Sequence, residues 1–281
     1  MEKIVHNMFV MPNTKILKSI KKEPYLKNKE FVLYQGDSTD IMNQLPENSI
    51  DMIFADPPYN LSNNGFSVHA GKRVSVNKGG WDKSNGFEND YQFHLKWLSA
   101  AKKILKPGGT LWVSGTYHSI YQCGHALQAL NFHILNDISW FKPNASPNLS
   151  CRFFTASHET LIWARKEKKA KHTFNYDLMK NGLWNGDILK KPGLQMRSVW
   201  QIGTPKPIEK KYGKHPTQKP VELLKRIILA STNKNDIVLD PFTGSSTTGI
   251  VAVSNQRKFV GIDLEEEYLK LSKKRFNDLI K

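Results

Sequence analysis

The hydrophobic positions of this chain fall into short β-prone runs separated by amphipathic stretches. Phe31–Tyr34 predicts a strand ending in Gln35-Gly36-Asp37, with a short helix following near Ser38–Leu45. Ile50–Ala55 predicts a second strand, stopped abruptly by Asp56-Pro57-Pro58-Tyr59, since proline donates no ladder hydrogen bond. Tyr91–Leu105 carries apolar residues at helical spacing and is expected to end at Lys106-Pro107-Gly108-Gly109. Thr110–Ser114, His133–Trp140 and Glu159–Ala164 predict three more strands, with a helix near Ser119–Leu130 between the first two. Beyond Lys219-Pro220 come a helix at Val221–Ser231, a strand at Asp236–Leu239 and a Gly/Ser/Thr turn. A helix at Thr247–Ser254, a strand at Lys258–Ile262 and a last helix from about Glu265 complete the chain. Strands alternating with helices imply an α/β fold, a doubly wound and largely parallel sheet.

Three segments escape that alternation. Residues 1–30 are basic and weakly periodic and read as an arm or loose leader. Asn60–Gly86 is rich in Gly, Asn and Ser and predicts a long loop, of the kind that serves as a lid or stays disordered. Residues 166–214 form an insertion between two blocks of one sheet, which are 31–165 and 215–281.

Composition narrows the class. Hydrophobic residues make up 39% and charged residues 23% of 281 positions, ordinary for a chain that buries a full core. Apolar runs such as Ile227–Ala230 and Ile250–Val253 are far too short to span a bilayer, and the N-terminus shows no secretory signal. Cys123 and Cys151 lie far apart without metal-like spacing, which predicts reduced thiols in a cytoplasmic protein.

Charge changes the picture more. Lys and Arg number 41 against 25 Asp and Glu, a net +16 with a pI near 9.7. Such an excess favours a polyanionic partner, nucleic acid above all, although solvated lysine faces produce the same excess. Arg165–Lys219 holds 14 basic residues against four acidic ones (Glu167, Asp177, Asp187 and Glu209), so most of the excess is concentrated there. His172, Phe174, Tyr176, Trp184, Trp200 and Tyr212 are interleaved with these cations. Cations suit phosphates while aromatic and polar groups suit bases, so the mixture fits DNA better than a bare lysine run.

Two segments carry candidate chemistry. Asp56-Pro57-Pro58-Tyr59 lies at the C-terminal end of a predicted strand, where open α/β sheets bind ligands. A carboxylate beside a carbonyl fixed by proline can accept both hydrogens of an exocyclic amine and turn its lone pair outward, and Tyr59 offers a face for stacking a base. Taken alone, the tetrapeptide is also readable as a tight Pro-Pro turn. The second segment, Asp240-Pro241-Phe242-Thr243-Gly244-Ser245-Ser246, joins a strand to a helix, and some 20 residues on Gly261-Ile262-Asp263 ends the next strand in an acid. Glycine admits close backbone approach, a helix N-terminus favours an anion, and an acid so placed binds ribose hydroxyls. Alone, this piece reads equally as a strand–turn–helix without a ligand; it is not GxGxxG, which weakens a nicotinamide reading.

Together these segments resemble the circularly permuted β class of bacterial DNA adenine-N6 methyltransferases, from about Phe31 to the C-terminus. Within that class the chain looks most like the second adenine methyltransferases of GATC-specific restriction–modification systems. Trp140-x-Lys142-x-Asn144 with Pro147, Glu159–Ala164 and His215-Pro216-Thr217-Gln218-Lys219-Pro220 also match. The resemblance implies a Rossmann-like fold, S-adenosyl-L-methionine as cofactor and 166–214 as the target-recognition region. It implies direct in-line methylation of a flipped adenine held by Asp56 and the Pro57 carbonyl, with Pro58 beside them and Tyr59 stacked on the base. Asp37, Phe242, Gly244 and Asp263 would contact the cofactor, Asp240 would lie near its methionine end, and Thr217 and Lys219 would reach its carboxylate. Ser245-Ser246 departs from the pattern, because many relatives carry a second glycine there. DNA, double- or single-stranded, is the implied substrate; a homodimer and a cognate restriction endonuclease are the implied partners.

Other features read more plainly. His118, His125, His133 and His158 are scattered and predict packing or surface roles, and no metal site has supporting spacing. Lys102-Lys103 and Lys273-Lys274-Arg275 read as solvated helix faces, and Trp81-Asp82 as either an aid to base extrusion or a loop anchor. Cytosine-N4 methylation uses the same geometry; Asp56 in the leading position favours adenine, since serine leads more often in cytosine enzymes. A basic DNA-binding protein on an inactive methyltransferase fold is the rival from another class.

Overall fold

A computed structural model describes residues 18–62, 66–69, 72–75, 82–148, 151–184, 194–213 and 215–279. Its strands, in chain order, are β1 (Leu26–Lys27), β2 (Phe31–Gln35), β3 (Ile50–Ala55), β4 (Phe66–His69), β5 (Lys72–Ser75) and β6 (Leu105–Gly115). They continue with β7 (His133–Phe141), β8 (His158–Arg165), β9 (Val199–Gln201), β10 (Ile237–Asp240) and β11 (Lys258–Asp263). The α-helices are α1 (Ser38–Met42), α2 (Phe87–Ile104), α3 (Ile120–Ala129), α4 (Tyr176–Asn181), α5 (Val221–Ser231), α6 (Thr247–Ser254) and α7 (Glu266–Leu279). Nine strands form one sheet in the order β1-β2-β11-β10-β3-β6-β8-β7-β9, and β4 pairs with β5 in a separate hairpin. From β2 to β6 the neighbours are parallel. β8 then runs antiparallel to both β6 and β7, so the sheet is mixed at this end.

Alternate side chains of each strand point to opposite faces, and each face has its own core. Val32, Tyr34, Ile53 and Ala55 pack with Trp97, Leu98 and Leu127 from α2 and α3. Phe31, Leu33, Met52 and Phe54 pack with Leu224, Val251 and Phe276 from α5, α6 and α7. Both faces of the parallel strands are covered, which explains why those strands read as continuous apolar runs. No helix among the described residues is long and apolar enough to cross a membrane.

The structure departs from the sequence reading in four places. Residues 18–30 are not loose: β1 pairs antiparallel with β2, and Ile20 is buried in the core. The long loop after Tyr59 contains the β4–β5 hairpin. α2 passes into β6 without a loop, and Lys106–Gly109 lies inside the strand as a register shift between Ile50↔Leu105 and Met52↔Thr110. Pro107 is tolerated at such an irregularity, where no ladder donor is required. The insertion, finally, is tied into the main sheet, since β9 pairs with β7. Among its aromatic residues Trp200 is buried under the Arg226 guanidinium at 4.2 Å, whereas Phe174, which packs on Trp163 at 5.4 Å, is still 38% exposed. Apolar area removed from water accounts for the inward turn of Trp200.

The sheet–helix packing on the α6 side is close enough to test. A Cβ on Gly249 would come within 2.3 Å of the Phe259 ring and 2.8 Å of Phe276, whereas one on Gly124 meets only Ile162 at 3.4 Å. Gly249→Ala should therefore lower stability by about 1–3 kcal/mol through overpacking. Gly124→Ala, in the middle of α3, should gain up to ~1 kcal/mol in helix propensity. Thermal melting of the two variants checks the opposite signs.

Candidate active site

β3 and β10 are neighbours, but the chain leaves β3 for α2 on one face and β10 for α6 on the other. A crevice opens at such a switch point beyond the C-terminal ends of the strands. Here it is a cavity of about 280 Å³. Asp37, Asp56, Asp240 and Asp263, which end or follow β2, β3, β10 and β11, all line it. Pro58, Thr217, Lys219, Phe242 and Gly244 line it too. Pro57 is buried behind this wall.

Asp56 lies in a chain of hydrogen bonds rather than standing free. Its Oδ1 accepts from the Tyr59 hydroxyl at 2.5 Å and its Oδ2 from Lys219 Nζ at 2.7 Å. Tyr59 Oη is also 2.8 Å from Ser114 Oγ and 3.1 Å from Glu159 Oε2. Glu159 Oε1 accepts from Lys142 Nζ at 2.9 Å, and its Oε2 is 3.6 Å from Lys219 Nζ. Burial raises the Asp56 carboxyl above its ordinary value despite Lys219. Burial acts on Glu159 in the same sense, but Lys219 and Lys142 outweigh it and leave that carboxyl below its ordinary value. Burial and the adjacent Asp56 push the Tyr59 phenol well up, so it donates as a neutral hydroxyl.

This geometry changes one sequence expectation. The Tyr59 ring is 6% exposed with the Lys219 ammonium 5.0 Å from its centroid, so it presents no open stacking face. Lys219, at the cavity wall, is held by Asp56. Thr217 Oγ1 lies 3.4 Å from His215 Nδ1, at the cavity wall.

The other half of the site is the β10–α6 turn. Asp240 Oδ1 accepts from the Phe242 N–H at 3.0 Å and Oδ2 from the Thr248 hydroxyl at 2.5 Å. Burial pushes Asp240 up to about 7 against those bonds. Asp263 Oδ2 accepts from the Gly244 N–H at 2.7 Å and Oδ1 from Glu265 N–H at 2.9 Å, and burial pushes it up to about 6. Gly244 has φ +50 and a Cβ there would lie 2.9 Å from the His215 ring, so only glycine fits. The serines that depart from the family pattern are accommodated: Ser245 and Ser246 are both buried, and Ser246 Oγ lies 3.0 Å from Thr243 Oγ1. Asp37 caps α1 by accepting from the Asp40 N–H at 3.0 Å.

The DNA methylase family model of N6 and N4 methyltransferases matches residues 50–274. The type II methyltransferase M2.DpnII of Streptococcus pneumoniae is 52% identical over 254 residues, covering 90% of this chain and 92% of the relative. The chain belongs to this family. It is a DNA methyltransferase, and DNA is its substrate. Among solved structures, the M1.HpyAVI–SAM complex is 29% identical with a TM-score of 0.64, covering 88% of this chain and 99% of that one. The cytosine-N4-specific PvuII DNA methyltransferase shares the fold, with a TM-score of 0.71 at 22% identity, covering 92% and 90%.

S-adenosylmethionine is the cofactor of this methyltransferase, and the cavity residues fit it. Gln218 Oε1 is buried in the cavity wall with no hydrogen-bond partner, an acceptor waiting for an N–H or O–H. The acids at the ends of β10 and β11 suit a ligand that carries a sulfonium, an ammonium and a ribose diol. When bound, the cofactor supplies the activated methyl group.

Two structural supports of the site were left open or misread in the sequence. Asp82 accepts from the backbone N–H groups of Tyr59 (2.8 Å), Asn60 (2.9 Å) and Leu61 (3.2 Å), and so pins the chain at the end of the Asp56–Tyr59 tetrapeptide. It is the loop anchor; Trp81 lies outside the described residues. Arg275, read as part of a solvated face, is buried and donates to Ser245 O at 2.6 Å and Thr247 Oγ1 at 2.9 Å, bracing the cofactor turn. Its spacing from Leu271 and Ser272 on the apolar stripe of α7 was the available signal. Lys102 likewise caps α3 through the Leu130 and Asn131 carbonyls rather than facing solvent. The scattered histidines pack: His133 Nδ1 accepts from Arg165 Nε at 2.9 Å and His125 stacks on Tyr91. No metal-holding group occurs among the described residues.

Proposed function

We propose that this methyltransferase modifies the N6 amine of adenine at a specific DNA site, as part of a type II restriction–modification system. The observation that carries the reading is Asp56: its carboxylate faces the cavity at the switch point, beside the turn built by Asp240, Gly244 and Asp263. Asp56 and the Pro57 carbonyl accept the two amine hydrogens of a flipped adenine, and Pro58 borders the pocket. Tyr59 orients Asp56 through its hydroxyl. Asp263 binds the cofactor ribose, Phe242 and Gly244 flank the cofactor, and Asp37 meets its adenine. Asp240 and Thr217 serve the methionine end, and Lys219 serves it through the charge balance it shares with Asp56.

The recognition region at 166–214 supplies exposed cations, among them Lys168, Lys169, Lys171 and Arg197, to DNA phosphates. The reading carries with it a cytoplasmic enzyme, acting as a monomer or homodimer on double- or single-stranded DNA beside a cognate endonuclease. Labelled methyl transfer to unmethylated genomic DNA, followed by digestion to nucleosides and chromatography, tests it. Label in N6-methyladenosine is expected. Label in N4-methylcytosine overturns the substrate and keeps the mechanism.

A further inference from the structure

The two donors that occupy Asp56 are the same two that touch Glu159. Tyr59 Oη is 2.5 Å from Asp56 Oδ1 and 3.1 Å from Glu159 Oε2; Lys219 Nζ is 2.7 Å from Asp56 Oδ2 and 3.6 Å from Glu159 Oε2. Both carboxylates are at the site, but only Asp56 lines the cavity. As the structure stands, each Asp56 oxygen already accepts a hydrogen bond, so an incoming amine competes with a phenol and an ammonium.

We propose that Glu159 is a positioning residue that receives the Tyr59 hydroxyl and the Lys219 ammonium when the target amine engages Asp56. This deepens the reading of Asp56 as the amine acceptor and rests on it. The exchange needs no bond to break in the protein. It shifts two hydrogen bonds from one carboxylate to its neighbour, and no buried donor is left unpaired at either stage. Lys142, 2.9 Å from Glu159 Oε1, keeps the second carboxylate anionic, which matches its lowered pKa beside the raised one of Asp56. The buried group then holds two ammoniums and two carboxylates, so its formal charge is balanced throughout. Ser114 Oγ, 2.8 Å from Tyr59 Oη and 3.3 Å from Glu159 Oε2, holds the phenol within reach of both acids.

The test compares the full-length enzyme with Glu159→Gln and with the charge-balanced double variant Lys142→Met/Glu159→Gln, using an adenine-containing DNA substrate. Neither the amide nor the double variant offers Lys219 an anionic alternative to Asp56. In both, kcat should fall roughly 10- to 100-fold, the worth of a hydrogen bond to a charged group. Cofactor affinity by calorimetry and the melting temperature of the double variant should stay near wild type. Glu159→Asp, which keeps an anion beside Lys219, should recover much of the lost kcat. Wild-type kcat in Glu159→Gln overturns the proposal. So does recovery of kcat in the double variant, which would reduce Glu159 to a counter-charge, or a Glu159→Asp variant no faster than Glu159→Gln. Asp56→Ala in parallel separates the two claims: full activity there, with no acceptor left, sinks the Asp56 reading itself, whatever Glu159 does.

Discussion

Asp56→Ala should lower kcat by about 10³-fold or more while leaving cofactor affinity within a few fold. The magnitude is that of removing a positioned group aimed at charge that develops in the transition state. The selectivity for kcat follows from the layout. Asp56 faces the cavity from β3, but the cofactor turn is held by Asp240, Asp263 and Arg275, none of which bonds to Asp56 in the structure. Loss of one member of a buried ion pair ordinarily strands its partner. Here Lys219 has a second carboxylate, Glu159, 3.6 Å away, so the fold should survive the change. Single-turnover methyl transfer alongside calorimetric cofactor binding measures both halves. Loss of cofactor binding in step with kcat would move Asp56 from the amine to the cofactor.

Cofactor affinity should weaken roughly tenfold between about pH 8 and about pH 5, because the acids that meet a cationic ligand are then protonated. Asp240 is pushed up to about 7 and Asp263 to about 6, both chiefly by burial. Stability of the cofactor-free protein should run the other way. A carboxyl whose folded pKa is raised favours the folded state below its unfolded pKa near 3.8, and that contribution disappears as pH rises through 6 to 7. The apoprotein therefore loses stability from these two groups over the same window in which it gains cofactor affinity. The melting-temperature increase on adding cofactor should be larger at about pH 8 than at about pH 5, and Asp263→Asn should flatten the difference. A ligand-induced shift that is greatest in acid would show that these carboxyls are not the groups that meet the cofactor.

The order of strands and helices was legible because the parallel strands are buried on both faces and their helices carry apolar stripes at clear spacing. Asp56–Tyr59 and Asp240–Gly244 were legible because proline and glycine leave local marks, and the structure brings Asp56, Pro58, Asp240 and Gly244 to one cavity. What escaped was what depends on distant partners. Asp82 was legible as a possible loop anchor, but its partners, the backbone amides 20 or so residues earlier, were not. Arg275 in a Lys-Lys-Arg run looks solvated until Ser245 and Thr247 are seen beneath it. Lys106–Gly109 looks like a stop, yet pairing between β3 and β6 draws it into a strand. The aromatic residues of the insertion promised contacts to bases, but Trp200 found apolar neighbours first, while Phe174 and Tyr176 stay exposed.

The position of β11 sets the timing of this enzyme's birth. β2 leaves the ribosome long before its parallel partner, β11, is made. At ~5–20 residues per second, the first strand waits roughly ten seconds to nearly a minute for the neighbour that completes its sheet. Until then the amides and carbonyls on one side of β2 lack their partners, and the cofactor turn has no Asp263 to close it. Until both strands have been made, a nascent chain cannot close this turn. Through that interval the unpaired strand edge is where such a chain is most exposed to aggregation.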